Sequence, residues 1–290
     1  MSSLLSSSGY ARTRRPAGQP TRGKTAPNRL RRVDTFAILY DTPLLTRQTG
    51  DFAQAFFVDL GYGETPVTTL ESAARLRALN PALPVLGVEI DRARVAAAQA
   101  AAGDAILLRV GGFNLPLARW RVGPWAGRRE TVRMVRAFNV LRQYAEADAA
   151  PAYALLGQYV LPGGLLLEGT SNPDGSLWVA NVARRTDVDA QPWHTEALVF
   201  SHNLRHLFDP VQHQAVLPKH LIHRMATDHA IDGFMAAWKQ AIAETAGYRS
   251  WGPRQWWVAA ARRLAALGFA VDTRDRWLAR GFLVWKNPGV

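Results

Sequence analysis

The segment Val58-Asp59-Leu60-Gly61-Tyr62-Gly63-Glu64-Thr65-Pro66 sets two glycines one residue apart, directly behind an apolar run that ends in an acid. Lacking a Cβ, a glycine lets backbone N–H groups close on a ligand and tolerates positive φ, so Gly61 and Gly63 suit a turn that wraps a bound group. Further on, Gly87-Val88-Glu89-Ile90-Asp91 ends a second apolar run in a carboxylate. Such a carboxylate can accept hydrogen bonds from both hydroxyls of a ribose, the task assigned here to Glu89, while Asp91 suits a cap on the next helix. A dinucleotide fingerprint wants glycines at the first, third and sixth positions, and the sixth residue from Gly61 is Pro66, so that pattern fails.

Other chemistry-bearing residues follow at the ends of later apolar runs. In Gly111-Gly112-Phe113-Asn114, the ring could stack on a base and the amide could accept a hydrogen bond from an exocyclic amine. The stretch Arg136-Ala137-Phe138-Asn139-Val140-Leu141-Arg142-Gln143-Tyr144 offers Asn139 to a ligand, and Arg136 or Arg142 to an anionic substrate or to structural ion pairs. Glu168, after another apolar run, suits a base, a ligand for a substrate amine, or a helix cap. All seven histidines lie between His194 and His229, and His223 is the candidate base or anion contact among them. No metal signature accompanies them, and no metal is assigned. Trp251-Gly252-Pro253-Arg254-Gln255-Trp256-Trp257 could stack on nucleic-acid bases or line a core.

The elements that must position these residues alternate between strand and helix, the pattern of a mostly parallel sheet covered on both faces. Strands are predicted at 55–60, 85–89, 105–110, 132–138 and 165–167, with helices behind Thr65-Pro66 and over 93–102. The helix behind Thr65 should bury Val67, Leu70 and Ala74. A further helix is predicted from Arg29 to about Gln48 on the spacing of Leu30, Val33, Phe36, Ala37 and Tyr40. Near the end of the chain, a helix over 257–267 precedes two short apolar strands at 268–271 and 281–285, a terminal hairpin. The mixed stretch 171–256 reads as an insertion covering the substrate.

With 290 residues, 48% of them hydrophobic, the chain can bury one sizeable core. No apolar run is long enough for a membrane span or signal-peptide core, so a soluble, cytoplasmic protein is expected. Zero cysteines exclude disulfides, thiolate metal sites and a thiol nucleophile. The net charge of +12 is concentrated at the start: Arg12, Arg14, Arg15, Arg22, Lys24, Arg29, Arg31 and Arg32 stand against Asp34 alone. Residues 1–34 therefore read as a basic disordered tail, unstructured at least as far as Asn28, which could contact RNA or simply be solvated. Residues 35–290 form the domain.

Asp59-x-Gly61-x-Gly63 resembles the first motif of class I S-adenosylmethionine-dependent methyltransferases, with Thr65 where a third glycine is common. The chain is accordingly identified as a member of that superfamily, in a bacterial branch. The resemblance implies an α/β fold, a doubly wound, mostly parallel seven-stranded Rossmann-like sheet with a C-terminal antiparallel hairpin. It also implies S-adenosylmethionine as cofactor, held by Asp59, Gly61, Gly63, Thr65, Glu89, Ile90, Gly112, Phe113, Asn114 and Arg136. Asp59 would orient the methionine amino end through the turn, and Asn139, Glu168 and His223 would surround the transferred methyl. Families that methylate exocyclic base nitrogens carry two prolines and an aromatic after the Asn or Asp at this place, and this chain does not. An O or N nucleophile of RNA or of a small molecule remains as acceptor, the basic tail favouring RNA. The alternatives are a catalytically silent RNA-binding protein of the same fold or an aminopropyl transferase.

Overall fold

The computed structural model describes residues 15–102, 106–120, 125–205, 208–218, 221–222 and 229–289. Its centre is β1 (Phe56–Leu60), with every residue buried, flanked in parallel by β2 (Val85–Glu89) and β4 (Val132–Phe138). β3 (Leu107–Val110) adds to β2, and β5 (Val160–Ser171) adds to β4, again in parallel. Continuous burial along β1, β2 and β4 is what apolar runs in a parallel sheet require, since helices cover both faces. The strand order reverses between β1 and β4, which opens a crevice at their carboxyl ends.

Beyond β5 the sheet turns antiparallel through β6 (Leu177–Arg185), β7 (Trp193–His202) and β8 (Phe282–Lys286), giving the order β3-β2-β1-β4-β5-β6-β7-β8. This is a doubly wound, Rossmann-like sheet of eight strands, one more than the sequence predicts. The extra pairing comes from the supposed insertion, because 177–185 and 193–202 are sheet strands rather than a cover. Their Trp, His, Asn and Arg residues hide a strand pattern: both faces of β6 are buried, so apolar and polar residues need not alternate. The described remainder of that stretch holds the helices α6 (Pro210–Gln214) and α7 (His229–Glu244), with α8 (Pro253–Ala266) starting at its end and α9 (Asp275–Leu278) beyond it. The terminal hairpin is correspondingly different. β8 pairs in register with β7, while the 268–271 segment touches β8 through the single bridge Val271–Trp285.

The predicted helix over 29–48 is two, α1 (Arg31–Tyr40) and α2 (Thr42–Thr46). They break at Asp41, whose carboxylate accepts from Leu44 N at 2.9 Å, with Pro43 in the first turn of α2. α3 (Val67–Arg77) buries Thr68, Thr69, Ser72, Ala73 and Leu76 instead of the Val67–Leu70–Ala74 face. Thr65 does not cap it: the N-cap residue is Pro66, and no side-chain cap bond is made there. α4 (Arg92–Ala102) begins at Asp91, whose Oδ1 accepts from Ala93 N at 2.8 Å, the cap predicted for it. α5 (Ala149–Gly157) lies on the opposite face from α3, packed with Leu60, Ala137 and Leu166.

The N-terminal segment departs most from expectation. Residues 15–28 are not a detached tail: they run across the carboxyl edge of the sheet, where Glu64 N donates to Gly23 O at 2.9 Å and Phe113 N to Ala17 O at 2.9 Å. Composition concealed this, because the contacts are made by backbone atoms, which any sequence carries. Arg12 and Arg14 lie outside the described residues. No helix among the described residues is long and apolar enough to cross a membrane.

Candidate functional site

At the carboxyl ends of β1 and β2 the glycine turn takes the form its sequence predicts. Gly61 has φ +72° and Gly63 φ +91°, conformations that L side chains rarely adopt. A Cβ on Gly61 would also stand 2.7 Å from Val140. Gly61 N donates to Val88 O at 2.7 Å, which ties the turn to β2. Glu89, 1% exposed, completes the tie: its Oε2 accepts from Gly63 N at 3.0 Å, and its Oε1 from Ile90 N at 2.9 Å and Asp91 N at 3.2 Å. A narrow cavity of about 20 Å³ lies against Glu89, Ile90, Gly112 and Phe113, lined also by Ala17, Gln19 and Thr21. Asn114 stands at its rim, its side chain bonded to Ala17 N at 2.6 Å and to Arg15 O at 2.9 Å. Thr65, exposed, lines neither this cavity nor the larger one beside it.

Asp59 lies beneath the turn and borders the larger cavity, whereas Arg136 lines neither cavity. Arg136, 1% exposed, lies between two carboxylates, pairing with Asp59 at 2.7 Å and with Asp34 of α1. Burial works against its charge, but Asp59 and Asp34 outweigh burial and raise its pKa above the ordinary guanidinium value. Thr69 Oγ1 donates to Asp59 at 2.7 Å, Ser72 Oγ to Asp34 at 2.9 Å, and Arg75 pairs with Asp34 at 2.7 Å. This network explains why α3 turns Thr69 and Ser72 inward. It also makes Arg136 a buried cation held between two acids, and Asp59 the anchor beneath the turn. Asp34 went unassigned in the sequence. Its signal was position, since it falls on the stripe of Leu30, Val33 and Ala37 that α1 buries.

Next to the turn opens a cavity of about 960 Å³, bounded by Asp59, Tyr62, Asn139, Gln143 and Ser171 on the sheet side. Asn139 has φ +61°, a value asparagine tolerates, and its amide clamps the next strand: Oδ1 accepts from Ser171 N at 3.0 Å and Nδ2 donates to Ser171 Oγ at 3.1 Å. Gln143 and Tyr144, carried in the same predicted stretch, face the N-terminal segment, Gln143 Oε1 accepting from Arg22 N at 2.7 Å. Arg22, Lys24, Arg29 and Arg142 also line this cavity. None of the four forms an ion pair among the described residues, whereas the only acid there, Asp59, is already paired with Arg136.

Glu168 lies on the other face of the sheet and lines neither cavity. It is level with Leu60 and Ala137, one residue beyond the Asp59–Arg136 register, so its side chain points toward α5. There its Oε2 accepts from Tyr153 Oη at 3.1 Å and from Asn181 Nδ2 at 3.3 Å. Burial raises its pKa to about 7, against the pull of both donors. His223 lies outside the described residues. His202 and His213 are buried side by side, their rings 5.8 Å apart, and no group of three or more metal-ligating side chains occurs among the described residues. Trp256 and Trp257 are core residues, while Trp251 is 69% exposed.

No family model matches the chain, and no curated protein does. Among solved structures it is similar to a putative sarcosine dimethylglycine methyltransferase from Galdieria sulphuraria, at 17% identity and TM-score 0.33 over 48% of this chain and 46% of that one. It is also similar to magnesium protoporphyrin IX methyltransferase from Synechocystis PCC 6803 with bound SAM, at 15% identity and TM-score 0.33 over 56% of this chain and 64% of that one. A third is the plantazolicin methyltransferase BpumL, at 9% identity and TM-score 0.35 over 50% and 47%. The chain spans 46% to 64% of the lengths of these three structures. What defines the class here is the molecule's own geometry, a doubly wound α/β protein with a glycine turn and a pinned carboxylate at the point where the strand order reverses.

Proposed function

We propose that the protein is an S-adenosylmethionine-dependent methyltransferase acting on an O or N nucleophile. The observation that carries this reading is Glu89, held by three backbone N–H groups across the ends of β1 and β2 beside a turn that only glycines can form. Its carboxylate oxygens stand where a ribose diol can donate to them, and Phe113 N–H with Asn114 Oδ1 makes a donor–acceptor pair matched to an adenine edge. The residues present therefore fit an adenosyl group, and the larger cavity beyond Gly61 has room for an acceptor. Bound there, S-adenosylmethionine would supply a sulfonium methyl for in-line displacement. The chain's own work is to hold the two reactants together, with Asn139 and Ser171 fixing the floor between them. Glu168, on the far face, takes no part in this reading.

Arg29 and Arg142, the cavity cations outside residues 15–24, favour an acceptor bearing negative charge, and they oppose the polyamine of an aminopropyl transferase. A cavity of this size suits a small acidic acceptor better than RNA. RNA binding through the remaining arm would show as steeply salt-dependent affinity lost on removal of residues 1–14.

Calorimetry with S-adenosylhomocysteine tests the site. The intact protein should bind it, and Glu89→Ala should lose at least about tenfold in affinity, the worth of one charged hydrogen-bonding group. A protein that binds neither S-adenosylmethionine nor S-adenosylhomocysteine is instead a silent member of the fold.

A further inference from the structure

We propose that residues 15–24 are a built-in competitor for the base of the nucleoside: the peptide of Ala17 occupies the adenine position, and the ligand enters only as this segment leaves. This rests on the adenosyl-binding reading above. An adenine edge places an amine donor beside a ring-nitrogen acceptor, and the N–H and C=O of a single residue, from two successive peptide groups, can offer a donor and an acceptor side by side in the same way. Ala17 N donates to Asn114 Oδ1 at 2.6 Å, and Ala17 O accepts from Phe113 N at 2.9 Å. The same two groups cannot serve a base while the peptide holds them. Contact is close enough to exclude a third party, since a Cβ on Gly112 would come within 2.0 Å of Ala17 O. The space left beneath, about 20 Å³, admits roughly one water and no base.

The rest of the segment follows the outline of the site. Gln19 N donates to Tyr144 Oη at 2.6 Å, and that hydroxyl donates back to Gln19 O at 3.0 Å. Arg94, the cation nearest Glu89, turns a guanidinium N–H to Thr21 O at 3.0 Å, and Glu64 N reaches Gly23 O. Every one of these bonds uses backbone atoms of the segment. None of its residues belongs to a hydrophobic core cluster, and it forms neither helix nor strand, so it is held by contacts that a ligand can replace one for one. An uncovered lid would need the opposite design, contacts that coexist with the ligand.

The two designs give opposite signs. In the full chain, Ala17→Pro removes the N–H bonded to Asn114, and it should tighten S-adenosylhomocysteine binding about tenfold. Removal of residues 1–22, which takes nothing from the core, should tighten it further. Saturating S-adenosylhomocysteine should also speed tryptic cleavage of the wild-type chain after Arg22 and Lys24. Weaker binding by both variants, with slower cleavage, would mean that the segment closes over the ligand and would overturn the proposal. Equal binding by all three proteins would overturn it while leaving the nucleoside site standing. Binding by none would overturn both.

Discussion

The middle of the sheet and its β7–β8 end are held together by opposite means. Under β1 and β4, buried charge does the organising: Arg136 is shared by Asp34 and Asp59, and each carboxylate is completed by a hydroxyl of α3. Against β7 and β8, aromatic rings do it. Phe234 stacks on Trp285 with centroids 4.2 Å apart and on Phe200 at 5.1 Å, while Trp238 and Trp257 meet edge to face at 5.7 Å. An aromatic core gains area and ring contacts and tolerates small shifts. A buried ion network costs desolvation and fixes one geometry, an exchange that makes sense where the glycine turn must be positioned.

Substitution should separate the two. Arg136→Met leaves Asp59 without its cation and Asp34 with Arg75 alone, and should cost about 3–5 kcal/mol in urea unfolding. Trp257→Ala should cost about as much by opening the aromatic core. Only the first should also abolish S-adenosylhomocysteine binding under conditions where both variants remain folded. If Arg136→Met binds normally, the network stabilises the fold without setting the turn, and the contrast between the two regions is one of composition alone.

The same contrast decides what the sequence could reveal. β1, β2 and β4 were legible to within a residue because fully buried parallel strands read as unbroken apolar runs, and Gly61, Gly63 and Glu89 because backbone geometry and charge demand those residue types. α3 was found with its inward face misassigned, since Thr69 and Ser72 are buried to satisfy Asp59 and Asp34, partners distant in sequence. β6 and β7 were missed for a related reason: Asn181 faces Glu168, and Arg184 pairs with Glu196 and Asp41, so their polar residues have internal partners. Nothing in the composition of residues 15–28 could show that their peptide groups fit the edge of the site.

Buried titratable groups extend the comparison to pH. Glu168, between β5 and α5, has its pKa raised by burial from 4.5 to about 7. The fold thus favours its protonated form, whose contribution is complete below pH 4.5 and lost as pH rises to 7. Between pH 5 and pH 8 the protein should lose about 2–3 kcal/mol of stability from this group alone. Glu168→Gln keeps the bonds from Tyr153 and Asn181 within reach of its carbonyl and should flatten that alkaline slope without altering S-adenosylhomocysteine affinity. An unchanged slope would mean that the carboxylate is ionised in place, and altered affinity would return Glu168 to the site.

His213 carries the opposite sign at the aromatic end. Burial foremost, and His202 beside it, lower its pKa from 6.5 to about 3, so the fold favours the neutral ring. Its contribution is complete above pH 6.5 and falls away as pH drops toward 3, with about 2 kcal/mol gone by pH 5. The ring lies 5.0 Å from Trp238 and 5.8 Å from Phe200, a setting that accepts another aromatic of similar breadth. His213→Phe should therefore remove the acid slope while leaving the alkaline one, and Glu168→Gln should do the reverse. The double variant would then unfold at nearly one urea midpoint from pH 5 to pH 8. A residual acid slope in it would mean that His213 is not the group that takes up the proton.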